Sequence, residues 1–210
     1  MHFPITIVDN FFDDPDRIVK LAESLDYYPR QKGDHWYGLR SKPLHEIDKG
    51  FFEFSTQKIL RTFYKEETSH YCTTLFQKTP GHKDISNEGW IHCDKGLMAA
   101  IIYLDKERTE GTNFYKCKTF GSDKFSYADV HKKDNISSAE FAEARDKNNL
   151  HYEKTIEVKG LYNRAVIYDS KVYHGAVNHP TNTDRLTQVF FFDKIESDWF
   201  PALSIRKHGE

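Results

Sequence analysis

Residues 90–105 read WIHCDKGLMAAIIYLD, which sets His92 and Asp94 two positions apart just ahead of the strongest apolar run of the chain. Leu97 to Leu104 is uncharged and lies between Gly96 and Asp105, the pattern of a buried strand. Residues two apart on a strand share a face, about 6.6 Å from one another along the backbone. If Trp90 to Asp94 is extended, His92 and Asp94 therefore aim at one point. Cys93 then faces the other way and is expected to be a small buried residue rather than a ligand.

Outward from this stretch the texture stays β. Tyr71 to Gln77, Gly89 to Cys93, Leu97 to Leu104, Asn113 to Lys116, Tyr152 to Val158, Arg164 to Tyr168, Val172 to Val177 and Leu186 to Phe192 are short runs rich in β-branched and aromatic residues, separated by turn residues. Such spacing predicts a mainly β (α+β) fold of sandwich, barrel or jelly-roll type. Ahead of them Ile5 to Phe12 reads as a strand. Asp13-Asp14-Pro15 supplies an acidic cap and an early proline for a helix. Ile18, Leu21, Ala22 and Leu25 give that helix one apolar face, and a second helix is expected over Phe52 to Tyr64. The segment 118–150 is polar and interrupts the strands, with one short helix expected from Ser138 to Arg145. Gly121, Ser122 and Asp123 at one end and Asn148-Asn149 at the other read as hinges of a lid or recognition element.

Composition bounds the rest. The 210 residues suit a single domain, 1–210, able to bury a core of ordinary size. Thirty basic against 32 acidic residues give a formal net charge of -2 without a long basic run, so a general nucleic-acid surface is not indicated. No apolar stretch is long enough for a membrane span, and no secretory signal is read at the N-terminus. Three cysteines without a CxxC suggest neither a disulfide framework nor a thiolate zinc site, and a cytoplasmic location is the expectation.

His-x-Asp by itself is weak. With 11 His and many Asp in the chain, roughly one match is expected by chance. There are two: His82-Lys83-Asp84 lies in turn chemistry between Thr79 and Gly89, whereas His92-Cys93-Asp94 precedes a strong strand. The second is chosen. A third ligand should come from a distant strand, and His174 in KVYHGAV (171–177) follows the strand Arg164 to Tyr168. His179, ahead of Pro180 in a turn, is rejected. Two imidazoles and one carboxylate on one triangular face leave metal positions open, as in iron(II) oxygenases. A 2-oxo diacid chelating such a metal would need a permanently charged planar donor for its far carboxylate. Arg185 offers it, with the Thr187 hydroxyl on the same strand face.

His92-x-Asp94, His174 80 residues after Asp94, and Arg185-x-Thr187 together resemble the 2-oxoglutarate/iron(II) oxygenases of the double-stranded β-helix family. Ile101-Ile-Tyr-Leu-Asp105 with Gly111-Thr-Asn-Phe-Tyr115 resembles the strand pair after the first two ligands there. Ile7-Val-Asp-Asn-Phe-Phe-Asp-Asp-Pro15 resembles the N-terminal strand and helix of prolyl-hydroxylase-like members. Gly111-Thr112 stands where the family often has two glycines, and the 118–150 segment has no counterpart. The resemblance implies a double-stranded β-helix jelly roll with N-terminal supporting helices. Its site would have His92, Asp94 and His174 on iron(II), 2-oxoglutarate on Arg185 and Thr187, and ascorbate as a supporting reductant. It also implies hydroxylation of a small-molecule or peptidyl substrate with release of succinate and carbon dioxide. Tyr103, Tyr71, Gln77 and Asn113 are further candidates for the 2-oxoglutarate pocket, and His35 to Arg40 for the site mouth. The rival readings are a cupin-like metal enzyme that does not use 2-oxoglutarate and a catalytically inactive jelly-roll binding module. Neither the substrate nor the oligomeric state is encoded in these motifs.

Overall fold

A computed structural model describes residues 3–29, 38–81, 87–118, 138–178 and 183–197. Along the chain these form β1 (Thr6–Val8), α1 (Pro15–Glu23), β2 (Tyr28–Pro29), β3 (Leu39–Arg40), α2 (Leu44–Ile47), α3 (Lys49–Leu60), β4 (Ser69–Thr79), β5 (Asn87–Glu88), β6 (Met98–Tyr103) and β7 (Thr112–Cys117). They continue with α4 (Ser138–Asn149), β8 (Tyr152–Val158), β9 (Arg164–Asp169), β10 (Tyr173–Asn178) and β11 (Arg185–Glu196). The strands make two antiparallel sheets, one in the order β1-β9-β6-β11-β4-β3-β2 and one in the order β5-β10-β7-β8.

Strand alternation divides the core into two layers. From β6, β9 and β11, Met98, Ala100, Ile102, Ala165, Ile167, Leu186, Phe190 and Phe192 point one way, where Ile18 and Ala22 of α1 and Ile59 and Leu60 of α3 cover them. Ala99, Tyr103, Val166 and Tyr168 point the other way and meet Phe114 and Val158 of the smaller sheet. At about 25 cal/mol per Å² of apolar area buried, these two layers are the main favourable contribution to folding. The Tyr103 hydroxyl meets Thr112 Oγ1 at 2.7 Å and ties the two sheets together across the second layer.

Helices α1 and α3 start at acidic caps. Asp14 accepts the Arg17 amide ahead of Pro15, as expected, and Asp48 accepts the Phe51 amide. The Asp48 cap starts α3 at Lys49, three residues before the expected Phe52. The helix in the polar segment runs on to Asn149 rather than stopping at Arg145. Asn148 is 2% exposed and both asparagines bond the backbone of residues 89 and 91, so they are a fixed contact and not a hinge. The other expected hinge, 121–123, lies outside the described residues, as do His35 to Tyr37, His82, Asp84 and His179. Among the described residues no helix is long and apolar enough to cross a membrane.

Candidate metal centre

The expected strand from Gly89 to Cys93 is only a single bridge. His92 and His174 exchange backbone hydrogen bonds of 3.0 and 2.9 Å, which docks the first ligand against β10. Asp94 lies in irregular backbone, fixed by its amide on the Ser170 carbonyl at 2.8 Å, while the Ser170 amide donates to the Leu97 carbonyl at 3.1 Å. The His-x-Asp spacing thus reaches a common point through a bridge and an irregular stretch, not through regular pleating. Cys93 is half-buried instead of buried, its thiol on the Lys171 carbonyl at 3.1 Å.

Each imidazole is oriented by its own chain. Nδ1 of His92 lies 2.8 Å from the Trp90 carbonyl, and Nδ1 of His174 lies 2.9 Å from the Val172 carbonyl. A carbonyl only accepts, so Nδ1 is the donor in both rings and Nε2 keeps its lone pair in the neutral tautomer. Both Nε2 atoms turn to Asp94, that of His92 to Oδ1 at 3.5 Å and that of His174 to Oδ2 at 3.4 Å. The three side chains present one ligand atom each within 4.8 Å of one another, so they could hold a metal ion. Such backbone-tied imidazoles are how proteins fix the ring of a metal-binding histidine.

Exposure grades across the triad, with side chains at 39% for His92, 17% for Asp94 and 6% for His174. Approach is therefore from the His92 side. Tyr168 and Phe114 back His174, with ring centroids 4.7 and 6.5 Å away. Burial alone would lower the pKa of His92, but hydrogen bonding and charge from Asp94 leave it raised. Burial would raise Asp94, but the two histidines hold its carboxyl well below the usual carboxylate range.

The other candidates divide by strand face. Gln77, Thr187 and Tyr103 are direct cross-strand partners, so all three face the space between the sheets. Arg185 is two residues from Thr187 and shares that face. Tyr168, behind His174, lies four residues along β9 from Arg164, the partner of Tyr103, so the triad and Arg185 lie towards opposite ends of one layer. Two weak candidates leave the site: Tyr71 is 65% exposed, and Asn113 pairs with Gly175 on the face opposite Phe114.

Arg185 is buried, and burial is the main cause of its lowered pKa. Its Nη1 donates to the Glu110 carbonyl at 3.0 Å, and its Nε has no hydrogen-bond partner among the described residues. Nearby, buried Arg108 grips Glu110 Oε1 through Nε at 3.1 Å and Nη2 at 2.7 Å. The Glu110 carboxylate is thus taken by Arg108, and Arg185 is met by the charges of Glu110 and Asp105 without an ion-pair hydrogen bond to either among the described residues, which leaves room for an anionic ligand. Arg108 and Glu110 are contributors the sequence reading missed. Arg108-x-Glu110 looks like any surface charge pair, and its burial follows only from the way residues 105–111 pack beneath Thr183, whose carbonyl Arg108 Nη1 also bonds.

Solved structures share this fold. HygX from Streptomyces hygroscopicus, solved with nickel and 2-oxoglutarate bound, is similar at a TM-score of 0.56, covering 94% of this chain and 84% of that one at 12% identity. HygX with iron bound scores 0.55 at 10% identity over the same shares. The non-heme alpha ketoglutarate dependent epimerase SnoN from nogalamycin biosynthesis scores 0.55, covering 90% and 76% at 12% identity. The chain thus shares the two-sheet β fold of this class of non-haem enzymes. It belongs to the family of unknown function DUF6445, which matches residues 2–188. No curated protein matches it.

Proposed function

We propose that the chain is a non-haem iron(II), 2-oxoglutarate-dependent oxygenase, with His92, Asp94 and His174 as metal ligands and Arg185 and Thr187 on the cosubstrate. The observation that carries this reading is the pair of backbone-tied imidazoles turning their free Nε2 atoms to one carboxylate. Two neutral nitrogens and one anionic oxygen form a donor set suited to a divalent iron with open positions. The Arg185 guanidinium, in the same intersheet layer and with its Nε unpaired among the described residues, suits the far carboxylate of a diacid. Tyr103, beside Thr187 and already bonded to Thr112, lines that end of the pocket. We read the two sheets as a jelly roll in a single domain. The β1–α1 opening, with its Asp14 cap and Pro15, supports reading it as a prolyl-hydroxylase-like member.

Iron(II) and 2-oxoglutarate would supply the oxidising chemistry here, consuming dioxygen and releasing succinate and carbon dioxide. The protein's own part is positional. His92 and His174 hold one tautomer, Asp94 stays ionised, and Tyr168 and Phe114 keep water from the inner side. Arg185 fixes the diacid's orientation. The substrate would enter from the exposed His92 side, and a small molecule fits best, since HygX is also solved with hygromycin B bound. Succinate release in the presence of iron(II), 2-oxoglutarate and ascorbate tests the reading, with Asp94→Ala as control. Release that is equal in wild type and Asp94→Ala rejects it, and iron binding without any response to 2-oxoglutarate would favour the cupin-like alternative. With a substrate in hand, product analysis separates hydroxylation from epimerisation, the reaction named for SnoN.

A further inference from the structure

The backbone of residues 89–92 has two edges. On one, His92 pairs with His174 of β10, and the Gly89 amide donates to Ala176 at 2.6 Å. On the other edge, among the described residues, lies the end of α4 and no strand. Asn149 Oδ1 accepts the Ile91 amide at 3.1 Å, and Asn149 Nδ2 donates to the Gly89 carbonyl at 3.0 Å. Asn148 Nδ2 donates to the Ile91 carbonyl at 2.9 Å and to Asn149 Oδ1 at 3.1 Å. A primary amide carries one donor face and one acceptor face, like a peptide unit, so Asn149 stands in for a neighbouring strand. Phe141 of α4 adds a ring contact with Trp90, centroids 5.7 Å apart.

We infer that Asn149, supported by Asn148, is a positioning residue for His92, through which residues 138–149 of the 118–150 segment are built into the proposed metal centre. The route is short. Asn149 fixes Gly89 and Ile91 on either side of Trp90, and the Trp90 carbonyl holds Nδ1 of His92. Without the Asn149 amide, this edge loses two of its three side-chain bonds and keeps only the Asn148 bond to the Ile91 carbonyl, so the backbone that aims the ring is held less firmly on the side away from β10. Groups that orient a metal-binding histidine in this way are commonly worth on the order of ten- to a hundredfold in metal affinity. The segment is thereby a fixed wall at its C-terminal end, whatever its remaining residues do. This inference rests on the proposed metal reading only for its affinity arm.

The test compares wild type, Asn149→Ala and Asn149→Asp in the full chain. Amide hydrogen exchange, read without metal, should show lost protection at Ile91 and His92 in Asn149→Ala, with β6 and β11 amides unchanged. The downfield Nδ1 proton of His92 should exchange faster as well. Asn149→Asp keeps the acceptor for Ile91 and loses the donor to Gly89. It should retain Ile91 protection, and it covers the case in which the alanine variant does not fold. Titration with cobalt(II) should show affinity lower by about tenfold or more in Asn149→Ala. Unchanged exchange at Ile91 and His92 in Asn149→Ala overturns the inference. If wild type itself binds no cobalt(II), the metal reading fails, while the exchange arm still decides whether Asn149 holds the strand.

Discussion

Arg185 donates through Nη1 to the backbone carbonyl of Glu110 at 3.0 Å, while its buried Nε meets no acceptor among the described residues. A guanidinium taken out of water with part of its fork unused is costly to hold unless an anion completes it. The same Glu110 offers its carboxylate to Arg108 and not to Arg185.

Removing that cation should therefore cost cosubstrate binding first. Arg185→Leu is expected to weaken 2-oxoglutarate binding by about 2–5 kcal/mol, the range for a buried carboxylate losing its charge-assisted partner. Thr187→Val should cost roughly 1 kcal/mol, as for a neutral hydrogen bond. Isothermal titration of the iron- or cobalt-loaded protein with 2-oxoglutarate measures both. Equal affinity in wild type and Arg185→Leu removes the cosubstrate assignment and leaves the metal site standing.

His92→Ala, Asp94→Ala and His174→Ala should each abolish succinate release and greatly weaken cobalt(II) binding without unfolding the chain. His82→Ala should do neither. Circular dichroism and metal titration on the four variants check this, and the reverse pattern for His82 and His92 would move the site to the other His-x-Asp.

Acid stability should follow Glu110. Burial would raise its carboxyl pKa, but hydrogen bonding and charge from Arg108 outweigh that and leave it lowered. A folded-state pKa below the unfolded one stabilises the fold above the ordinary glutamate pKa of about 4.3 and is lost as pH falls through the folded value. Glu110→Gln leaves Arg108 buried without its partner, so stability at pH 7 should drop by about 3–5 kcal/mol. The variant should also show a flatter decline on acidification below pH 5. Urea titrations between pH 3 and pH 7 read both effects, and parallel pH profiles would show that the pair does not act this way.

Asn163 tests the scaffold apart from the site. It sits at φ +61°, where asparagine is tolerated better than alanine. Its side chain accepts the Phe12 amide and donates to the Phe12 carbonyl, each at 2.8 Å. Asn163→Ala strands both backbone groups in a buried setting and should destabilise the fold by roughly 2–4 kcal/mol, while cobalt(II) affinity of the folded protein stays as in wild type. Loss below 0.5 kcal/mol in denaturant titration would contradict the assigned bonds.

Local signals in the sequence carried most of the elements. Short runs rich in apolar, β-branched and aromatic residues located β4, β6, β8 and β9 to within a few residues, and Asp14-Pro15 marked the start of α1, because strand-forming composition and capping act between near neighbours. The order His92, Asp94, His174, Arg185 was legible for a similar reason: each candidate lies in or beside a strand signal, and its side-chain chemistry is its own. What the sequence could not contain was partnership across the fold. Gly89 to Cys93 looked like a strand, yet its neighbours are one bridge to His174 and the amides of Asn148 and Asn149, contributed from 57 to 60 positions away. Asn148-Asn149 carried turn chemistry, and only docking α4 against the Ile91 backbone turned those amides into a strand substitute. Arg108 and Glu110 looked like surface charges until residues 105–111 closed beneath Thr183. The sequence by itself determined which residues can ligate, cap or alternate, since those are properties of side chains and near neighbours. The tertiary structure alone decided which of them meet and which are cut off from water, because hydrogen-bond satisfaction and desolvation depend on what the rest of the chain brings alongside.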